Sequence, residues 1–224
     1  MTQKRKAIVL GSGGHSRVVL SILYACQNHN IKGIIDLQEH TRNEHILKIP
    51  VIGSIKDLDK YIGESRLDIF LAIGDNSLRQ SWWAKLIDLG FNMPNLISPN
   101  ATLDPNSTIG EANVFCSGSF VGPESSLGNN NLVNTSAVIE HEVKIGSHCH
   151  IAPSSTIAGR STLSNNCFIG AGAVVIDGIE VAEDVSIGAG STVVKSIIKS
   201  GRIYVGTPAK PLLTKDRRPS PRDQ

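Results

Sequence analysis

The sequence predicts two folds in tandem: an α/β, Rossmann-like domain over residues 1–92 and a parallel β-helix over residues 93–212. Two observations predict the β-helix. Every sixth residue from Ile97 to Val193 is apolar, seventeen positions without an insertion. Four residues after each stands a mostly small side chain, as at Ala101, Ser119, Ala137, Ser155, Ala173 and Ser191. A spacing of six matches neither the helical period of 3.6 nor simple strand alternation. It matches a chain that turns a corner every six residues, so that three flat faces close one coil of a triangular prism. The aliphatic residue fills the inside of each face, and the small residue fits the corner. The third observation, ahead of the repeat, is the alternation of apolar runs with amphipathic stretches, which predicts the parallel α/β domain.

Taken in order, residues 6–10 (KAIVL) read as a buried strand that runs into the turn Gly11-Ser12-Gly13-Gly14-His15-Ser16 and a helix through Cys26. Residues 31–36 (IKGIID) form a second strand, ending on Asp36, and residues 49–52 a short third one. Ser54 is the expected N-cap of a helix over 55–61. Residues 68–73 (DIFLAI) form another buried strand, and 77–89 a helix with Leu78, Trp82, Leu86 and Leu89 on its apolar side and Gly90 as its C′ residue. This leaves room for one βαβ half and one more strand. The repeat follows at once, without a linker. After Val193 the period decays, Gly206-Thr207-Pro208-Ala209-Lys210 closes the fold, and the charged, proline-containing residues 213–224 are expected to be a disordered tail.

Composition excludes several classes of function. The chain has 224 residues, and the repeat takes less than half of them, so two domains are expected. Aromatics are only 4%, as suits a coil interior of Val, Ile and small residues. A net charge of +2 gives no field for nucleic acid. No apolar run reaches membrane-spanning length, and no leader peptide precedes Ala7, so a cytoplasmic protein without a membrane span is expected. Of the cysteines, Cys26, Cys116, Cys149 and Cys167, the last two share the inward phase; buried thiols are expected rather than disulfides.

Two stretches carry chemistry. A glycine-rich turn between strand and helix presents backbone N–H groups and a helix N-terminus, which favour phosphate. Ser16 stands where the dinucleotide fingerprint has its third glycine, and Asp36 lies near where a ribose-binding acid would sit. The limited size of the domain favours a mononucleotide handle over a nicotinamide cofactor; the bland alternative is a tight turn with no ligand. The second stretch is Glu140-His141-Glu142, with His148 and His150 behind it. Two residues after the inward Ile139, His141 has access to the outside, where a histidine can take a proton near neutral pH. A carboxylate on its other ring nitrogen would fix its tautomer; spacing does not decide between Glu140 and Glu142. His148-Cys149-His150 is not expected to hold a metal, since Cys149 points inward and its neighbours outward. The same inward phase argues against a cysteine nucleophile.

The turn Gly11–His15, the segment Ala72-Ile73-Gly74-Asp75-Asn76 with Arg79, the stretch Asn134-Thr135-Ser136 to Glu142 and the closing Gly206–Lys210 together resemble the bacterial sugar acyltransferases of the hexapeptide-repeat class. Within that class the chain is most similar to nucleotide-amino-sugar N-acetyltransferases and sialic-acid O-acetyltransferases. The resemblance implies a left-handed coil and a homotrimer with acetyl-CoA in the groove between prisms. It implies His141 as general base and Glu142 as the acid that polarises it. His150 would lie by the acetyl thioester, and Ala171 and Ala189 along the pantetheine. Gly13, Gly14, His15, Asp36, Gly53 and Asn134 would bind the substrate. The sequence departs from the pattern at Leu37, where some relatives have a second acid, and at Ser98, where many have histidine. The expected function is acetyl transfer to the amino group of a nucleotide-linked amino sugar in surface-glycan biosynthesis. O-acetylation of a sialic-acid-like sugar is the alternative within the class, and a non-catalytic scaffold or binding module the alternative outside it. A nucleotidyltransferase reading fails, because no lysine- and arginine-rich pyrophosphorylase loop follows the first strand.

Overall fold

The computed structural model describes residues 4–39 and 44–212. The tail expected at 213–224 lies outside the described residues.

The first part is a five-stranded sheet. Its strands are β1 (Arg5–Leu10), β2 (His29–Asp36), β3 (His45–Ile46), β4 (Ile49–Ser54) and β5 (Leu67–Leu71), in the order β3-β4-β2-β1-β5. All pair in parallel except the β3–β4 hairpin. The sequence reading missed β3, whose two residues are too few to show a period. Helix α1 (Gly14–Cys26) follows β1, a 3₁₀ helix (Ile55–Tyr61) follows β4, and helix α2 (Asn76–Asp88) follows β5. Alternate residues of β1 bury opposite faces: Ala7 and Val9 meet Val19, Leu20 and Leu23 of α1, whereas Ile8 and Leu10 meet Leu58 and Leu86. Burial on both faces is why these strands read as unbroken apolar runs. Ser54 caps the 3₁₀ helix as expected: its side chain accepts from Lys56 N, and Asp57 Oδ2 accepts from Ser54 N at 2.9 Å.

The expected apolar face of α2 is wrong in one respect. Leu86 is buried, but Leu78 is exposed, and Arg79 is buried in its place at 3% exposure. The cause is tertiary. Arg79 turns toward the prism, where backbone carbonyls replace the water its guanidinium loses.

The second part is the prism. Every apolar position of the repeat lies in a two-residue strand, and each strand pairs in parallel with the one a coil later, as Val138 with Thr156 and Ile139 with Ile157. Three faces result. Face one carries Leu96–Ile97, Val114–Phe115, Leu132–Val133, His150–Ile151, Phe168–Ile169 and Ser186–Ile187. Face two includes Val138–Ile139 and Val174–Val175, and face three Lys144–Ile145 and Thr162–Leu163. From Phe115 to Val193 the inward aliphatics are buried; Ile97, at the open first coil, is exposed. The corner differs from expectation. The small residue is inside, but the turn is made one residue earlier, by a left-handed residue at every corner from Ala112 to Gly190. Most of these are not glycine, Glu142 (φ 58°), His148 (φ 64°) and Arg160 (φ 57°) among them. Stacking offsets their strain, because corner N–H groups bond the coil before: Glu142 N donates to Pro123 O, and Arg160 N to His141 O.

The outside of face one joins the two parts. Leu96, Val114 and Leu132 share a core with α1. The closing segment caps the far end, with Ile203–Val205 paired to Ser186–Ile187 and Tyr204 packed on the core.

Candidate functional site

Two cavities flank the loop after β5. The first, about 760 Å³, is lined by Gly11 to His15, Asp36, Leu37, Gln38, Glu44, Ala72 to Asp75 and Leu78. It sits at the carboxyl ends of β1, β2 and β5, the usual ligand position in an open parallel sheet. Gly11 is required by the fold: its φ is 111°, and a Cβ there would stand 2.9 Å from Ala72 O. Gly13 and Gly14 are required by neither conformation nor packing, since a Cβ at either meets nothing within 4 Å. Gly13 is the N-cap of α1 and has no side chain to offer the helix; Ser16 N donates to Gly13 O at 3.1 Å, and the N–H groups of Gly14 and His15 are left to an anion. Asp36 is buried and accepts from Gln38 N at 3.3 Å. Gly53 lines neither this cavity nor the next; a Cβ there would meet Asp57 Oδ2 at 2.6 Å, so its absence serves the cap of the 3₁₀ helix.

The second cavity, about 520 Å³, is lined by Gly74 to Ser77, His150, Asn166, Phe168, Asp184 and Ser186. Gly74 and Asp75 are common to both cavities. His150 stands on the outside of face one, edge-on to Phe168 at 5.2 Å. Its tautomer follows from the bonds around it. Asn134 Oδ1 accepts from Thr135 N at 2.8 Å, so Nδ2 of Asn134 is the group that faces His150 Nε2 at 3.3 Å. Nε2 is then the acceptor, and Nδ1 carries the proton. Nδ1 is buried, with the backbone of Gly74 as its polar neighbour. Burial, then the charges of Arg79 and His15, lower the His150 pKa to about 3, so the ring is neutral at working pH. His15 is lowered to about 4 by burial and Arg79. Phe168 and Ser186 were missed in the sequence; adding one coil, then two, to His150 finds both.

Arg79 ties the shared loop to the prism. It donates to the carbonyls of Ile73 and Gly74 on one side and of Asn130, His148 (2.9 Å) and Cys149 (3.1 Å) on the other. Burial lowers its pKa to about 10, which leaves it cationic at neutral pH. His148, expected to face outward, is buried beneath Trp83, with ring centroids 5.2 Å apart, and bonds Asn130. Cys116, Cys149 and Cys167 are buried, and burial pushes the Cys116 thiol up to about 12. Among the described residues, no group of three His, Cys, Asp or Glu is placed to hold a metal, and no helix is long and apolar enough to cross a membrane.

His141 lines neither cavity. It lies on the edge between faces two and three, half-exposed, with Nδ1 2.9 Å from Glu142 Oε2. This identifies Glu142, not Glu140, as the bonded acid. Glu142 lies 3.8 Å from Arg160, which holds Asp177 with two bonds of 3.0 and 2.7 Å. The left-handed corner at Glu142 turns its carboxylate back toward the ring beside it. The opposite nitrogen, Nε2, has no bond of its own. Ala171 and Ala189 are exposed and stacked on a different edge, between faces one and two, with Gly190 N bonded to Ala171 O.

Residues 6–86 match the model of the PglD N-terminal domain family, and residues 124–159 and 160–195 each match that of the bacterial transferase hexapeptide (six repeats) family. A GDP-perosamine N-acetyltransferase from Caulobacter crescentus, solved with CoA and GDP-perosamine, is 32% identical over 92% of this chain and 96% of its own, with a TM-score of 0.87. The acetyltransferase domain of PglB from Neisseria gonorrhoeae is 32% identical over 93% of this chain and 100% of its own, also with a TM-score of 0.87. It has also been solved with acetyl coenzyme A. WeeI from Acinetobacter baumannii, at 19% identity and a TM-score of 0.62, shares the fold. A search among curated protein sequences found no match.

Proposed function

The chain belongs to the hexapeptide-repeat sugar acetyltransferases that carry a PglD-type N-terminal domain, and we propose that it moves the acetyl group of acetyl-CoA to the amino group of a nucleotide-linked amino sugar. The observation that carries this reading is the joining of the two cavities at Gly74 and Asp75. One cavity suits a nucleotide diphosphate, and the other is lined by the neutral ring of His150. A sugar linked to a nucleotide in the first reaches toward the second. The relatives crystallised with CoA and GDP-perosamine support the same substrates. We assign residues 1–92 to the nucleotide-sugar and residues 93–212 to acetyl-CoA and catalysis.

In this reading Gly13, Gly14 and the N-terminus of α1 receive the diphosphate, His15 lies beside it, and Asp36 faces the nucleoside. Gly53 supports this pocket only through the 3₁₀ helix. Asn134 holds the His150 ring, and His150 lies by the acetyl thioester. Ala171 and Ala189, without bulk, border the pantetheine. His141 Nε2 takes the proton of the attacking amine, while Glu142 stabilises the imidazolium from Nδ1. The amine nitrogen bonds to the acetyl carbon, and CoA leaves as its thiolate. A donor to the oxyanion contributes about 3 kcal/mol in comparable sites. No acyl-enzyme is needed.

Within one chain His141 lies on the edge between faces two and three and His150 on the outside of face one, and this supports a homotrimer with shared sites. The outside of face two carries a partly exposed stripe, Phe120, Val138, Thr156 and Val174. If three copies turn this face to a common axis, the edge of His141 in one meets the edge of Ala171 and Ala189 in the next. Each site then takes its base from one copy and its cavities from another. Acetyl-CoA and nucleotide-sugars are cytoplasmic metabolites, and the cytoplasm is the compartment this reading implies. A screen of free and nucleotide-linked amino sugars for CoA release tests it. Release only with nucleotide-linked amines supports the proposal; release with hydroxyl acceptors alone favours the O-acetyl alternative.

A further inference from the structure

We propose that Gly159 is a positioning residue for His141, kept free of a side chain so that the imidazole can lie on it. The inference rests on the role of His141 just given. Gly159 stands one coil after His141, on the same edge. An ideal Cβ at residue 159 would come within 2.5 Å of His141 Cε1, 2.6 Å of Nε2 and 3.1 Å of Nδ1. Real side chains do not approach so closely, so any other residue must displace the ring. The backbone gives no reason for glycine, because Gly159 is outside the set of residues with positive φ. Other glycines of the prism are explained differently: Gly122, Gly146 and Gly170 would each press a Cβ on the backbone of the next coil. Gly159 is also alone in its phase. Of the seventeen residues that stand two after an inward aliphatic, from Pro99 to Lys195, it is the one glycine.

The seat fixes the ring in three ways. Glycine below leaves the space that the imidazole occupies. Glu142 holds Nδ1 from the side at 2.9 Å. Arg160 N bonds His141 O at 3.0 Å, so the two coils cannot slide past one another. Together these hold the ring in one tautomer and one rotamer, with Cε1 and Nε2 over Gly159. A methyl group at residue 159 would swing the ring into solvent and break the bond to Glu142. Misplacing a reacting group by about 1 Å costs on the order of 100-fold in rate.

The test uses the full chain with Gly159→Ala, Gly159→Ser, His141→Ala and the double variant Gly159→Ala/His141→Ala. Ring ¹⁵N NMR of the histidines reports whether the His141 Nδ1 is hydrogen-bonded. The proposal expects that signal in the wild type and its replacement by that of a free, tautomer-averaged ring in both Gly159 variants. It expects kcat to fall about 10- to 100-fold in Gly159→Ala with the acetyl-CoA KM unchanged. In the His141→Ala background the same substitution should cost nothing more, because no ring is left to displace. An unchanged His141 signal, or an equal fold-loss in both backgrounds, would overturn it. A wild type that acetylates no amino sugar would sink the functional reading instead, and the NMR result would still decide the seat.

Discussion

Glu142 Oε2 lies 2.9 Å from His141 Nδ1, although the two residues are neighbours in sequence and one of them is in the left-handed conformation. Adjacent residues rarely face one another; here the corner of the coil brings them round. Glu142→Gln should keep the geometry and remove the charge, and Glu142→Ala should remove both. We expect kcat to fall in both, more in the alanine variant, and in each by less than in His141→Ala. Steady-state kinetics at saturating acetyl-CoA would check the order; a glutamate variant as slow as His141→Ala would give Glu142 a larger part than holding the ring.

The nucleotide cavity offers a second test. Since a Cβ at Gly13 meets no atom of the chain, Gly13→Val should fold normally. Its bulk would occupy the space above the N-terminus of α1. The KM of the nucleotide-sugar should rise at least about 10-fold while that of acetyl-CoA is unchanged. Equal losses for both substrates would mean that the turn serves the fold alone.

Acid stability follows from three histidines withdrawn from water, His15 and His150 half-buried and His148 buried. His15, at about 4, and His150, at about 3, resist protonation when folded, and His148 is lowered too, by burial and the charge of Arg79. In the unfolded chain each takes up a proton near its ordinary value of about 6.5. The unfolded state therefore binds more protons over that interval, and stability rises with pH. The contribution is full above about pH 6.5 and is lost as pH falls toward 4. Urea midpoints measured from pH 7.5 to 4 should fall, and more steeply in the wild type than in His15→Gln. Identical slopes would contradict a neutral, half-buried His15.

Shared sites predict complementation. His141→Ala and Gly13→Val damage different halves of the site. If each site draws those halves from two copies, trimers remixed from an equal mixture should hold about a quarter of their sites intact. Activity should reappear on mixing after dissociation and reassembly. No recovery from a verified mixed trimer would mean that each chain builds its site alone.

The period of six was legible because each apolar position serves the same face of every coil. The strands over 6–10 and 68–71 were legible because both their faces are buried. The corner turn was misassigned, yet it had a signal. Asn130, Asn166 and Asp184, with Gly118 and Gly172, are types that tolerate a left-handed backbone, and all share one phase. Glu142 and Arg160 do not belong to those types and hide the pattern where it bears on function. Arg79 could not be placed, since its partners are carbonyls up to seventy residues away in sequence. Phase located His141 on an outer edge, but it does not specify a hydrogen bond, and this is why Glu140 and Glu142 stood level until the geometry separated them.

The most direct measurement is the turnover of His141→Ala with acetyl-CoA and the nucleotide-amino-sugar identified by the acceptor screen. A general base contributes about 10²–10⁴ in rate. The account predicts a loss of kcat in that range, with acetyl-CoA affinity and the oligomeric state unchanged. A variant that keeps more than about a tenth of wild-type kcat, less loss than a general base implies, would contradict it.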